Sequence, residues 1–100
     1  LAYDATGLAK LVRTGEVSPQ ELVMATVARI ERLDGQLNAI STLLVDRALQ
    51  RAGDIPVDSL FAGVPTLLKD LVDMAGVRRT SGSRCFGCAL RFTWPLCIRF

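Results

Sequence analysis

The chain has 100 residues, half of them apolar and 22% charged, with a formal net charge of +2 and no histidine. A length of this order makes one domain or part of one, and the charge balance is too even for a disordered chain. The small net charge gives no reason to expect nucleic acid or an anionic membrane as partner, and the absent histidine excludes Ser-His-Asp and Cys-His catalysis.

The first predicted element is a short helix over Asp4–Thr14. Asp4 is placed to cap it, Leu8, Leu11 and Val12 fall on one face, and Gly15 ends it. Gly7 weakens that helix relative to alanine. The next helix begins at Ser18-Pro19-Gln20-Glu21, a capping box with proline at the first helical position. Val23, Thr26, Val27, Ile30 and Leu33 form its apolar stripe, and Asp34-Gly35 is read as its end. Leu37–Leu44, rich in Ile, Leu and Thr, predicts a strand or buried extended run. Asp46–Ala52 predicts a third helix stopped by Gly53, and Asp54–Ser59 a surface loop. Phe61–Pro65 reads as a turn leading to a second short strand, Thr66–Lys69. Asp70–Gly76 fits strand or loop, and Arg78–Arg84 is turn-like. The order helix, helix, strand, helix, strand suggests an α/β arrangement that opens a larger domain.

Composition changes near Arg84. Residues 1–83 hold nine Lys/Arg and ten Asp/Glu, whereas residues 84–100 hold three Arg, no acid, all three cysteines, the single Trp94 and three of the four Phe. We therefore divide the chain into 1–84 and an aberrant tail, 85–100. Cys85 and Cys88 have redox-motif spacing without the strand–helix context such a pair needs, and three cysteines fall short of a zinc ligand set. The expectation for Cys85, Cys88 and Cys97 is no functional role, with no metal and no cofactor.

No secretory signal is visible, and no stretch approaches the ~18 apolar residues of a membrane span. The expected location is cytoplasmic.

Lys69 is the residue best placed for chemistry. It ends the apolar run Val64–Leu68, where burial would favour the neutral amine that a base requires. The competing reading is an exposed lysine paired with Asp70 or Asp73. Asp70 and Asp73 read as a solvated patch rather than an acid/base pair. Thr80-Ser81-Gly82-Ser83 reads as a turn, because no base stands beside its hydroxyls.

The run Phe61-Ala62-Gly63-Val64-Pro65-Thr66-Leu67-Leu68-Lys69-Asp70-Leu71 resembles the "aGVP...KD" segment of the amidase signature family. Leu11–Val23, Arg29–Leu33 and Leu37-Asn38-Ala39 are similar to that family's N-terminal helices. Gly76–Ser83 resembles the loop in which the family carries "T-x-G-S". The resemblance covers Ala2–Arg84. Its wording is most similar to bacterial amidases of the aminohexanoate cyclic-dimer hydrolase type, and a related branch of the family is the amidotransferase A subunit.

The resemblance implies an N-terminal fragment of an α/β fold in which helices cover a mixed central sheet. It also implies carboxamide hydrolysis by a Ser–cis-Ser–Lys triad on a small-molecule amide, with Lys69 as the base. The family's two serines lie downstream of the lysine, and Ser81 and Ser83 are not those serines. The expectation is an incomplete, inactive chain with exposed helix stripes and marginal stability, from a truncated or frameshifted reading frame. The alternative, from a different class, is a non-catalytic helical interaction module that binds a partner through its apolar face and basic tail.

Overall fold

The computed structural model describes residues 3–56 and 59–85. Val57 and Asp58 of the expected loop lie outside the described residues, as do Cys88, Trp94, Cys97 and the rest of 86–100. The chain divides into two units, Leu1–Thr66 and Leu67–Phe100.

The first unit is built on three helices, α1 (Ala5–Arg13), α2 (Pro19–Leu37) and α3 (Val45–Ala52). Asp4 caps α1: its Oδ1 accepts the Gly7 N–H at 2.7 Å, satisfying one of the helix's unpaired first-turn donors. Gly7 has a packing reason to be there, since a methyl group at that position would lie 3.1 Å from the Tyr3 ring and 3.3 Å from Asp4 Oδ1. At the other end, the Glu16 N–H reaches back to the Leu11 carbonyl and the Gly15 N–H to the Val12 carbonyl. Those are the two bonds of a Schellman motif, which needs a left-handed residue, and Gly15 supplies it with φ +75°.

The capping box of α2 closes as its residue types require. Ser18 Oγ accepts the Glu21 N–H at 3.2 Å, and Glu21 Oε2 accepts the Ser18 N–H at 2.8 Å. Leu22 and Val23 are buried, and Thr26, Val27 and Ile30 are half-buried along the same stripe. Leu33, expected on the stripe, is exposed.

The helix does not end at Asp34-Gly35. It continues to Leu37, and Asn38 ends it in the left-handed region at φ 47°. The reason is local: Asp34 serves the end of the helix rather than breaking it. Its carbonyl accepts the Asn38 N–H, and its Oδ1 accepts the N–H groups of Ala39 and Ile40 at 2.7 and 3.1 Å. Gly35 inside the helix costs roughly 1 kcal/mol relative to alanine, which these bonds offset.

The two expected strands are a correction. Among the described residues there is no strand, so neither Leu37–Leu44 nor Thr66–Lys69 is one, and no mixed sheet is present. Leu37 belongs to α2, and residues 38–44 are irregular. β-Branched and apolar composition records only a fit to a pleated surface. A strand also needs a neighbour to hydrogen-bond with, and neither segment has one among the described residues. The regular structure of the described residues is therefore helical.

α3 lacks a side-chain cap at Leu44 and ends at Gly53 as expected. It packs on α2, burying Ala52. The turn at Leu60–Gly63 covers the junction of α1 and α2. The Leu60 carbonyl accepts from Arg13 Nη2 at 3.3 Å. Gly63, at φ +76°, lies so close to α1 and α2 that a methyl group there would stand 2.9 Å from Pro19 Cγ and 3.0 Å from Val12 Cγ1. Among the described residues the buried core is small: Leu8, Ala9, Leu22, Val23 and Ala52.

Candidate functional site

Lys69 lies in the second unit, in irregular backbone entering a turn. Its carbonyl accepts the Val72 N–H at 3.0 Å, which folds the chain back immediately after the lysine. The expected burial is not observed: Lys69 is exposed. So are its apolar neighbours Leu67, Leu68 and Leu71, at 64%, 50% and 55%. An apolar run buries a lysine only if something covers the run, and within this unit no described residue does.

The turn brings Asp70 to the loop around Thr80. Asp70 Oδ1 accepts the Thr80 N–H at 3.0 Å, and Oδ2 accepts the Thr80 hydroxyl in a short hydrogen bond. The Asp70 carbonyl accepts the Ser81 N–H at 3.2 Å. Together these close the nine residues between Asp70 and Thr80 into a clasp. The Thr80 hydroxyl first, then its N–H, hold the Asp70 carboxyl below the usual carboxylate range, because both donate to the charged form. Asp73 is engaged elsewhere, with its Oδ1 3.2 Å from Arg79 Nη1.

The two carboxylates thus form no acid/base pair, and neither partners Lys69. Among the described residues the lysine amine makes no hydrogen bond or ion pair.

The hydroxyl-rich run Thr80–Ser83 forms the expected turn. Ser81 takes φ 51° and Gly82 φ 70°. The Ser83 N–H donates to the Thr80 carbonyl at 2.9 Å, and Ser83 Oγ accepts the Cys85 N–H at 3.2 Å. The Thr80 and Ser83 hydroxyls thus accept backbone N–H groups of the loop, from Gly82 and Cys85. Cys85 is free and exposed; its expected companion Cys88 falls outside the described residues. No helix among the described residues is long and apolar enough to cross a membrane.

Sequence reasoning missed Thr80 as the partner of Asp70. The only available signal was a carboxylate and a hydroxyl ten residues apart, spanning Gly76, and such spacing has no periodic signature.

The family model described as Amidase matches residues 21–88, a stretch that contains the whole Gly63–Thr80 region. Three relatives extend the comparison. A 6-aminohexanoate-cyclic-dimer hydrolase of Pseudomonas sp. (strain NK87) is 44% identical over 71 residues, covering 71% of this chain and 14% of the relative. The A subunit of the glutamyl-tRNA(Gln) amidotransferase of Chromohalobacter salexigens is 38% identical over 88 residues, covering 79% of this chain and 18% of the relative. Its counterpart in Renibacterium salmoninarum is 34% identical over 91 residues, covering 84% and 18%. The chain therefore spans only 14–18% of the length of these curated relatives. No solved structure matches it.

Proposed function

This chain belongs to the amidase family, and from that premise we propose that it supplies the lysine base of an enzyme hydrolysing small-molecule carboxamides in the cytoplasm. The observation that carries the reading is Lys69 itself. It stands in a Gly-Val-Pro…Lys-Asp run inside the matched stretch, and its amine is unpaired among the described residues.

In this reading neutral Lys69 accepts a proton through a bridging serine held by a cis peptide. The second serine, losing that proton, attacks the amide carbonyl. Backbone N–H groups stabilise the oxyanion. The C–N bond breaks, the amine or ammonia leaves with a proton, and water then releases the acid from the acyl-enzyme. In this reading neither serine is Ser81 or Ser83, whose backbones form the turn that follows Thr80.

A lysine bathed in water is a poor base at neutral pH. The reading therefore requires the exposed strip Leu67–Leu71 to be covered by the rest of the amidase domain, which would dehydrate Lys69 as it does so. The 100 residues alone are expected to be inactive.

The test replaces the matching segment of a full-length relative with residues 21–85 of this chain and follows release of amine from a simple carboxamide. The chimera is expected to hydrolyse it, and Lys69→Ala is expected to lower the rate about a hundredfold or more. An active chimera indifferent to Lys69→Ala refutes the assignment. Amide cleavage by the isolated chain that Lys69→Ala abolishes would uphold the lysine but refute the expectation that the 100 residues alone are inactive.

A further inference from the structure

The charged side chains of residues 67–85 are Lys69, Asp70, Asp73, Arg78, Arg79 and Arg84. Within this stretch the two aspartates are the side chains that could neutralise the lysine. Both are near it in sequence, and the Lys69–Val72 turn folds the chain back over just this interval. An ion pair with either one would hold the amine in its ammonium form, the form that cannot accept a proton.

Both carboxylates are occupied. Asp70 gives one oxygen to the Thr80 N–H and the other to the Thr80 hydroxyl. Asp73 is paired with Arg79, although this contact is exposed on the aspartate side, at 73%, and is the weaker restraint.

We propose that Thr80 is a positioning residue for Lys69: by engaging both oxygens of Asp70 it keeps that carboxylate from closing an ion pair on the lysine amine. Arg79 does the same, less firmly, for Asp73. Thr80 touches no reacting atom in this account. It acts through Asp70, and its value lies in leaving the neighbouring amine free to lose its proton. The inference deepens the reading of Lys69 as a base, but its test needs no hydrolysis.

The chain contains two lysines, Lys10 and Lys69, so Lys10 in the first unit is an internal reference for amine reactivity. The full 100-residue chain is labelled at pH 9 with a trace of acetic anhydride, and acetylation at the two lysines is compared by peptide mass spectrometry. Only the unprotonated amine reacts. Thr80→Val keeps the β-branched shape and removes the hydroxyl that donates to Asp70. It is expected to lower the Lys69/Lys10 ratio about two- to fivefold, the range of an exposed ion pair. Thr80→Ser should restore the ratio.

A second variant separates the carboxylate from mere loop damage. Adding Asp70→Asn to Thr80→Val removes the charge that would capture the lysine, so the ratio should recover even though the hydroxyl's bond is still missing. The proposal is overturned if Thr80→Val leaves the ratio unchanged. It is equally overturned if the ratio falls and Asp70→Asn does not restore it. The chimera assay decides separately whether Lys69 is the catalytic base.

Discussion

Two glycines in the first unit offer a matched comparison. Gly15 and Gly63 have nearly the same left-handed backbone, φ +75° and +76°, but a methyl group at Gly15 meets nothing within 4 Å. At Gly63 it meets Pro19 Cγ at 2.9 Å and Val12 Cγ1 at 3.0 Å, distances that real Cβ atoms scarcely reach. Alanine in this backbone region costs about 1–2 kcal/mol, partly offset by about 0.4–1 kcal/mol from the stiffer unfolded chain. Gly15→Ala should therefore destabilise by roughly 0.5–1 kcal/mol.

Gly63→Ala carries the same backbone cost plus overpacking against a proline ring and a β-branched side chain, neither of which can swing aside. That adds about 1–3 kcal/mol. The difference between the two variants isolates the contact and amounts to about a 5- to 160-fold drop in the folded-to-unfolded ratio. Urea titration of both variants and the parent, followed by circular dichroism at 222 nm, reads the helices that the Gly63 turn covers. With a slope near 1 kcal/mol/M, Gly63→Ala should fall short of Gly15→Ala by about 1–3 M in midpoint, or lose its folded baseline altogether. Equal midpoints for the two variants would refute the packing of the Gly-Val-Pro turn on α1 and α2.

Two further outcomes follow from the caps and the clasp. Ser18→Ala removes the side-chain half of the α2 capping box and should cost about 1 kcal/mol in the same titration, whereas Ser18→Asp should cost little; equal loss in both would mean the cap is not formed. Asp70 and Glu21 are both held below their ordinary values of 3.8 and 4.5, Asp70 by Thr80 and Glu21 first by the Ser18 N–H and then by its hydroxyl. A depressed carboxyl stabilises the fold fully above its unfolded value and loses that contribution as pH falls through its folded one. Stability should thus be flat from pH 7 to about 5 and decline below about pH 4. The Thr80 and Ser18 amide resonances should move together with their carboxylates in that lower range, and an immobile Thr80 amide would refute the clasp.

What the sequence made legible was whatever rests on neighbours a few residues apart. The Asp4 cap, the Gly15 ending, the Ser18–Glu21 box and the Gly53 stop are all short-range chemistry, and each is present. The misread end of α2 has the same character in reverse. Asp34-Gly35 carries break signals, but the decisive event is Asn38 adopting a left-handed conformation with Asp34 bonding forward to it, and both signals were available. The strands failed for a different reason. Their composition is right, yet pairing is a long-range property, and no partner exists among the described residues. Lys69 divides the same way. Its place in a recognisable run was readable, while its exposure depends on what lies above Leu67 and Leu68.

The Asp34 carboxylate ends α2 and at the same time ties down Ala39 and Ile40, two residues with no regular structure of their own. An irregular segment normally exchanges its amide hydrogens at the pace of local fluctuation. Here the two amides donate to a carboxylate fixed on the last turn of the helix, so they are expected to exchange more slowly than the rest of the connection. The ordered block therefore runs past the last helical residue, and the connection to α3 begins its freedom only at Ser41.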